Sequence, residues 1–398
     1  MSNQTITGPL GFKAAGVACG IKASGKPDLG LLICDVPAAV AGCFTQNRTK
    51  AAPVEISREH IKNGYSRGVV VNSGNANACT GSQGLTDAQA MTQKVASHFK
   101  ISQRDILVAS TGIIGRFLDM EKINQGIDET VGKLNNDEAS GMDFLHAIMT
   151  TDTKLKQSYR EFEVNGKVIK IAGVAKGSGM ICPNMATMLS FITTDAKLSP
   201  TELRNHLAQA VGRSFNRITV DGDMSTNDSV MLFASGLACT ENLGQVWQSE
   251  FGENLYEVCN ELALAVVDDG EGATKVFHVM VTGASSYTQA HKIARQIAQS
   301  PLVKTAIHGG DPNWGRIICS AGAASVPFNP QTAICSIGDI VVFKHGLGEN
   351  ADLDRLETIM KQKDIWITLD LGDGDASDVV HSCDLSKGYV DINAFYHT

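Results

Sequence analysis

The sequence has no apolar stretch long enough to cross a membrane, since nowhere do roughly 18 apolar residues occur together. Its first residues lack the basic start and apolar run of a secretory signal. Aromatic residues are scarce at 6%. Hydrophobic residues make up 43% and charged residues 19% of the chain, a balance typical of folded globular proteins. We therefore expect a folded, cytoplasmic protein without an export signal or a membrane span.

A basic surface is also missing. The chain has 34 Lys and Arg residues against 42 Asp and Glu residues, for a formal net charge of -8, and its cations are scattered along the sequence. Proteins that bind nucleic acids concentrate positive charge on one face. This composition argues against a nucleic-acid partner.

Metal-binding and redox motifs are lacking too. The ten cysteines contain no C-x-x-C pair, so we expect reduced, buried thiols, and no H-E-x-x-H motif occurs. Two acidic runs begin at Asp221 and Asp373, but neither has glycine at the sixth position or glutamate at the twelfth position of a calcium loop. We expect turn and capping roles for these runs, and no metal.

The common phosphate-binding and hydrolase motifs are absent as well. The stretch from Lys176 to Gly179 is rich in glycine but lacks the G-x-x-x-x-G-K-[ST] spacing, and G-x-G-x-x-G does not occur. A G-x-S-x-G elbow and the S-x-x-K, S-D-N and K-T-G set are also missing. Nucleotide-binding loops and the familiar serine hydrolases are therefore poor matches.

What the sequence does contain is a mixture of strand-like and helical segments without a strict β-α-β period. Because 398 residues exceed the usual single-core limit of about 250–300 residues, we expect two or three subdomains. The predicted fold is an α/β layered sandwich with mixed or antiparallel sheets packed against helices. Strands are predicted at 30–37, 68–72, 105–110, 167–177, 187–196, 229–238, 276–283, 332–343, 365–371 and 388–393. Helices are predicted at 86–100, 199–215, 246–267, 288–300 and 352–362, with a capping box opening the second.

The most informative segment, 175–196, changes character at one bond. Glycines, a proline and small residues precede Thr187, and a strand-like apolar run follows it. A threonine hydroxyl is a weak nucleophile unless a base lies beside it, and one solution is the free α-amine of an N-terminal threonine. With a reference pKa of about 7.7–8.0, that amine can accept a proton near neutral pH. Cleavage before Thr187 would create this base.

The segment K-G-S-G-M-I-C-P-N-M-A-T-M-L resembles the self-cleavage motif of the glutamate N-acetyltransferase / ornithine acetyltransferase (ArgJ) family. The resemblance covers essentially the full length. Further matching motifs are C-F-T-Q-N-R-T-K-A-A-P-V (43–54), N-S-G-N-A-N-A-C-T-G (72–81), S-T-G-I-I-G (110–115), M-T-T-D-T (149–153), D-G-D-M-S-T-N-D (221–228), D-D-G-E-G-A-T-K (268–275), G-D-P-N-W-G-R-I (310–317) and Y-V-D-I-N-A-F-Y-H-T (389–398).

The resemblance implies cleavage between Ala186 and Thr187 and a sandwich similar to that of the self-processing aminopeptidase DmpA. It implies an α fragment of residues 1–186 with the oxyanion loop, and a β fragment of residues 187–398 that begins at the nucleophile and has a C-terminal subdomain from about 281. Thr111 and Gly112 would form the oxyanion hole. The implied substrate contacts are Thr150 or Thr151, which the sequence does not separate, Lys176, Thr187, Glu271, Asn393 and Thr398.

The reaction implied is transfer of an acetyl group from N-acetylornithine to glutamate through an acyl-threonine, without a metal or organic cofactor. Some family members also accept acetyl-CoA, and the sequence leaves this second activity open. The family further implies an assembly of two α and two β fragments. Two alternatives stand beside this interpretation: an N-terminal-threonine amidohydrolase or aminopeptidase, and a non-catalytic protein that keeps the same fold.

Overall fold

A computed structural model describes residues 3–181, 188–238 and 244–395 of the chain. Within these ranges the chain forms two compact units. The first contains residues up to Asn216 together with Asp223–Val266, and the second contains Arg217–Gly222 and the chain from Val267 onward. Among the described helices, none combines the length and the hydropathy that a transmembrane span needs.

The first unit is built on one mixed sheet with helices on its faces. In the described part of the chain the sheet has eight strands in the order β4-β3-β2-β9-β7-β6-β5, with β1 paired to β2. Its strands are β1 (Phe12–Val17), β2 (Leu29–Phe44), β3 (Tyr65–Asn75), β4 (Ile106–Ile113), β5 (Lys156–Val164), β6 (Lys167–Lys176), β7 (Leu189–Thr194) and β9 (Ser229–Ala234). Its helices are α1 (Ala52–His60), α2 (Gly81–Phe99), α3 (Met120–Lys133), α4 (Glu138–Ile148), α5 (Pro200–Arg213) and most of α6 (Gly244–Asp268).

The long strand β2 bends and divides this sheet into two layers. Its pairing with β3 shifts register between Ile33 and Ala38, where Pro37 cannot donate a ladder hydrogen bond. The core includes side chains from both halves of the sheet, and the rings of Phe144 and Phe191 meet edge to face at 5.5 Å. Residues of β3 and β4 that face the other way pack against α1, α2 and α3. The sheet therefore folds over itself at the bend.

The second unit has its own sheet, in the order β13-β12-β11-β14-β10-β15-β8 within the described residues. The strands are β8 (Ile218–Thr219), β10 (Val276–Ala284), β11 (Ile334–Ile337), β12 (Ile340–Lys344), β13 (Leu347–Gly348), β14 (Asp364–Asp370) and β15 (Ala376–Cys383). The helices are α7 (Tyr287–Gln299), α8 (Pro301–Gly309), α9 (Trp314–Gly322), α10 (Leu353–Met360) and α11 (Lys387–Phe395). A separate apolar core lies between this sheet and its helices.

The predicted α/β class with mixed sheets is confirmed, since both sheets contain parallel and antiparallel pairs. The helix predicted at 199–215 is observed as α5, with the capping box formed by Ser199 and Glu202. The prediction of a strand at 388–393 is wrong, because these residues belong to α11. The Tyr389 N–H donates to Ser386 Oγ in a capping contact at the start of this helix. The strand predicted at 332–343 is a hairpin of β11 and β12 that turns at Gly338, with φ +59.

The cysteines in the described ranges form no disulfide with one another. Their predicted burial holds for Cys34, Cys43, Cys259, Cys335 and Cys383, while Cys79 and Cys319 are exposed.

Candidate active site

Thr111 and Gly112 lie near the end of β4, where its pairing with β3 becomes irregular. The strands run parallel, Gly112 lies opposite Gly74, and the register shifts directly afterwards. Gly112 has φ +128, and a Cβ there would lie 2.4 Å from the carbonyl carbon of Gly74. Both the backbone angle and the close neighbouring strand therefore require glycine. A bulge leaves backbone groups outside the ladder, as an oxyanion loop requires.

Buried asparagines hold this loop in position. Ser110 Oγ donates to Asn72 Oδ1 at 2.5 Å, and Asn72 Nδ2 donates to the carbonyl oxygen of Asn75 at 2.8 Å. Asn75 Nδ2 donates to the carbonyl oxygens of Arg116 at 3.3 Å and Phe117 at 3.1 Å. No role of its own was predicted for the N-S-G-N-A-N motif. In the fold it braces the residues on both sides of Thr111.

Lys176 ends β6 and brings its charge to this loop. Its Nζ donates to Thr111 Oγ1 at 3.2 Å, and the residue is only 8% exposed. Next to it, Asp152 accepts the Gly177 N–H at 2.7 Å and forms an ion pair with Lys156 at 2.7 Å, in which both side chains are inaccessible to solvent. Burial alone would raise the pKa of Asp152, but the charges of Lys176 and Lys156 outweigh it and hold the pKa well below its usual range.

The two threonines of the M-T-T-D-T motif have different contacts. Thr151 Oγ1 and Ser178 Oγ lie 2.7 Å apart, so Thr151 is engaged with the glycine-rich segment that follows β6. Thr150 donates its backbone N–H to Asp152 Oδ2 at 2.9 Å. Its hydroxyl has no hydrogen-bond partner among the described residues. The two hydroxyls therefore have different surroundings, Thr151 beside Ser178 and Thr150 beside no described partner.

Lys22 is a residue of this region that the sequence did not indicate. Its Nζ donates to the carbonyl oxygens of Pro27 and Met149, both at 2.6 Å, and Met149 directly precedes Thr150. The loop that carries it is fixed by Asp28, whose buried carboxylate accepts four consecutive backbone N–H groups from residues 19–22. Burial lowers the pKa of Lys22 to about 8, and the charge of Lys176 adds to this effect while Asp28 opposes it.

Glu271 and Asn393 lie together in the second unit. Asn393 Nδ2, on α11, donates to Glu271 Oε2 at 2.9 Å. The turn that carries Glu271 approaches the start of α11 so closely that a Cβ on Gly272, at φ +69, would lie 2.3 Å from Tyr389 N. The Ser386 hydroxyl also donates to the carbonyl oxygen of Gly272 at 2.5 Å. Two residues predicted from separate motifs thus become neighbours.

Three of the predicted site residues, Ala186, Thr187 and Thr398, lie outside the described residues. The described chain resumes at Met188, and β7 begins at Leu189. Leu189 pairs with Lys176 on one side and with Ser229 on the other. The strand that follows the predicted nucleophile in the sequence therefore starts beside Lys176.

The described part of the first unit combines an ammonium group, a hydroxyl group and a glycine backbone in one place. Donors fixed in this way can stabilise an oxyanion that forms during acyl transfer. Groups of three side chains that could hold a metal ion are not found in the ranges the structure covers. The arrangement suits polar substrates with a carbonyl group.

Comparisons with known proteins agree with these motifs. The model of the ArgJ family matches residues 13–398. The arginine biosynthesis bifunctional protein ArgJ of Bacillus cereus is 45% identical over 402 residues, covering 100% of this chain and 98% of the relative. The protein of the same name from Chlorobaculum tepidum is 44% identical over 399 residues, with the same coverage. Among solved structures, one match is the crystal structure of ornithine acetyltransferase complexed with ornithine from Mycobacterium tuberculosis, at 39% sequence identity. The match covers 47% of this chain and 98% of that chain, with a TM-score of 0.43. The chain belongs to the ArgJ family.

Proposed function

We propose that this chain is an acetyltransferase of arginine biosynthesis that moves the acetyl group of N-acetylornithine to glutamate. The observation that carries the proposal is the contact of Lys176 Nζ with Thr111 Oγ1, beside a position that only glycine can occupy and next to the start of β7. This contact joins a cation to the loop in which acyl transfer needs its oxyanion donors.

In the proposed mechanism the chain first cuts itself between Ala186 and Thr187. The new α-amine takes the proton of the Thr187 hydroxyl as Oγ attacks the acetyl carbonyl, and donors from Thr111 and Gly112 stabilise the oxyanion. The C–N bond to ornithine then breaks, and the protonated amine gives its proton to the departing nitrogen. Glutamate attacks the acyl-threonine in the reverse sequence and leaves as N-acetylglutamate.

The other site residues are proposed to bind the amino-acid part of the substrate. Lys176 suits a substrate carboxylate, because its ammonium is fixed by neighbouring groups. The hydroxyl of Thr150 suits a neutral hydrogen bond, and the Glu271 carboxylate suits the ammonium groups of ornithine and glutamate. Asn393 supports Glu271, and Thr398 completes the predicted set. The cut fragments are proposed to assemble as two α and two β fragments.

The bifunctional name of the relatives is the basis for proposing a second acetyl donor, acetyl-CoA. The same threonine would accept the acetyl group from the thioester and pass it to glutamate. This donor would allow the chain to make N-acetylglutamate without acetylornithine.

The test begins with purified protein on a denaturing gel. We expect two bands of about half size, and an intact mass that shows a new N-terminal threonine. Thr187→Ala should give one band of uncut, inactive protein, and Thr187→Ser should retain some cleavage. Initial rates measured with acetylornithine and glutamate should give parallel double-reciprocal lines. Intersecting lines, or activity of the uncut Thr187→Ala protein, would contradict a covalent acyl-threonine.

The amidohydrolase alternative makes a different prediction in the same assay. An N-terminal threonine that passes its acyl group to water releases ornithine from acetylornithine without glutamate. A transferase needs glutamate for every turnover after the first.

A further inference from the structure

A cavity in the first unit has a charge opposite to that of the chain as a whole. It is an open cavity with a volume of about 740 Å³ along the end of β2, and it is lined there by Phe44 and by the adjoining residue Thr45. Four cationic side chains line it, from Lys50, Arg58, Lys62 and Arg204, and none of its lining residues is acidic. The net charge of the protein is -8, so a cluster of this sign is not a consequence of composition.

Most of these cations are not neutralised by the residues that the structure describes. Lys62 pairs with Glu59 at 2.5 Å. Lys50, Arg58 and Arg204 form no ion pair or side-chain hydrogen bond with any of the described residues. Arg58 lies in the last turn of α1, where a positive charge is favourable. Arg204 also lines the cavity and lies in the first half of α5, where the helix dipole does not favour a cation. An external anion would stabilise its charge there.

The cavity lies near the start of β7. Phe44, which lines it, pairs with Ser229, and Ser229 pairs with Leu189. Neighbouring strands are spaced by about 4.8 Å, so Phe44 lies about 10 Å from Leu189 across the sheet. Leu189 in turn pairs with Lys176 of the candidate site. A ligand whose phosphates occupied the cavity could therefore extend an arm to the reacting end of β7.

We propose that this cavity binds the phosphorylated nucleotide of an acyl-coenzyme A donor, with the thioester directed toward the start of β7; the inference rests on the proposed function. Coenzyme A has a diphosphate and a separate phosphate at one end, and its acyl thioester lies at the far end of an extended pantetheine arm. Arginine recognises phosphate oxygens with two donors at once. In the acyl transfer, the carbonyl carbon forms a bond to Thr187 Oγ, the C–S bond breaks, and the hydroxyl proton reaches the departing thiolate through the α-amine.

The test compares two acetyl donors on one variant. In Arg58→Gln/Arg204→Gln, we expect the KM for acetyl-CoA to rise by about tenfold for each cation removed. S-acetylpantetheine has the pantetheine arm without the phosphates, and its KM should stay the same. The control Lys167→Gln/Lys292→Gln removes two exposed cations that lie outside the cavity and should leave both constants unchanged. Exchange between acetylornithine and glutamate reports the amount of folded, active enzyme in each sample.

Direct binding separates the possible anions. Titration calorimetry with coenzyme A, ATP and inorganic phosphate should give the tightest binding for coenzyme A, weakened in Arg58→Gln/Arg204→Gln and unchanged in the control. Equal binding of all three would assign the cavity to phosphate in general and overturn the proposed donor. Normal exchange between acetylornithine and glutamate, by a protein that neither binds coenzyme A nor uses acetyl-CoA, would also overturn it. That result would leave the proposed transfer from acetylornithine to glutamate standing. Absence of exchange would instead contradict the proposed function, while calorimetry would still test the cavity.

Discussion

Replacing Gly112 with alanine tests the oxyanion loop most directly. The added Cβ would lie 2.4 Å from Gly74 C and 2.6 Å from Asn75 N, both backbone atoms, whereas ordinary contacts begin at 3.4 Å. The ends of β3 and β4 would have to separate by 3.4 − 2.4 = 1.0 Å. Displacements of about 1 Å can cost about a hundredfold in rate, and loss of one oxyanion donor costs about 2.7–4 kcal/mol. We expect kcat to fall by about 10²–10³ in Gly112→Ala.

Gly115→Ala is the matched control on the same loop. Gly115 also has a positive φ, +81, but no atom lies within 4 Å of an added Cβ. It should therefore cost only the backbone strain of about 1–2 kcal/mol, visible as a lower Tm, with kcat preserved.

The assay is acetyl exchange between acetylornithine and glutamate, normalised to the cleaved fraction on a denaturing gel, with Tm measured in parallel. An unchanged kcat in fully cleaved Gly112→Ala would refute the role of this glycine in the oxyanion loop. Equal losses of kcat in Gly112→Ala and Gly115→Ala would attribute the effect to general strain in the loop.

Three other substitutions test the surrounding groups. Asp152→Asn removes the ion pair between Asp152 and the solvent-inaccessible ammonium of Lys156, and should lower the free energy of unfolding by about 3–5 kcal/mol in denaturant titrations. The pKa of Asp152 is held below its ordinary value of about 3.9, so its contribution to stability is complete above that pH and is lost as the pH falls through the native pKa. The variant should therefore lose less stability in acid than the parent. The same loss of stability in acid for both proteins would contradict this. Lys22→Met removes the two hydrogen bonds to carbonyl oxygens and should raise the KM for acetylornithine by about tenfold. The control Lys26→Met replaces an exposed lysine nearby and should leave this KM unchanged. Asn393→Ala should raise KM by about fivefold through loss of the bond to Glu271, and an effect on kcat alone would show that Asn393 does not act in binding.

The parts of the fold predicted correctly are those specified by local sequence. The helix at 199–215 was predictable because its capping box and proline lie within four residues. The segment 388–393 was mistaken for a strand because Tyr389, Val390 and Ile392 have high strand propensity, yet Val390 is 57% exposed and a serine before the segment caps a helix. Several helices were not predicted at all: α1, α3, α4, α8, α9 and α11.

The residues of the candidate site were proposed one by one from their motifs, but the contacts between them could not be predicted in this way. Lys176 and Thr111 are 65 residues apart in the chain, and only the folding of the sheet at β2 brings their side chains together. Lys22 was missed because a lone lysine has no signature, and its role depends on burial and on the carbonyl oxygen of Met149. Gly112 belonged to a matched motif, but the reason that it must be glycine is the backbone of β3, which the sequence alone does not reveal.

The strand order has a consequence for what the proposed cut would do. Strands β7 and β9, which would belong to the second fragment, lie side by side between β6 and β2 of the first. Each outer boundary is a ladder of six residue pairs. The two products would be interleaved, so neither could depart without tearing open both ladders and the core beneath them. Breaking one covalent bond would thus release an amine for chemistry without releasing a piece of the protein.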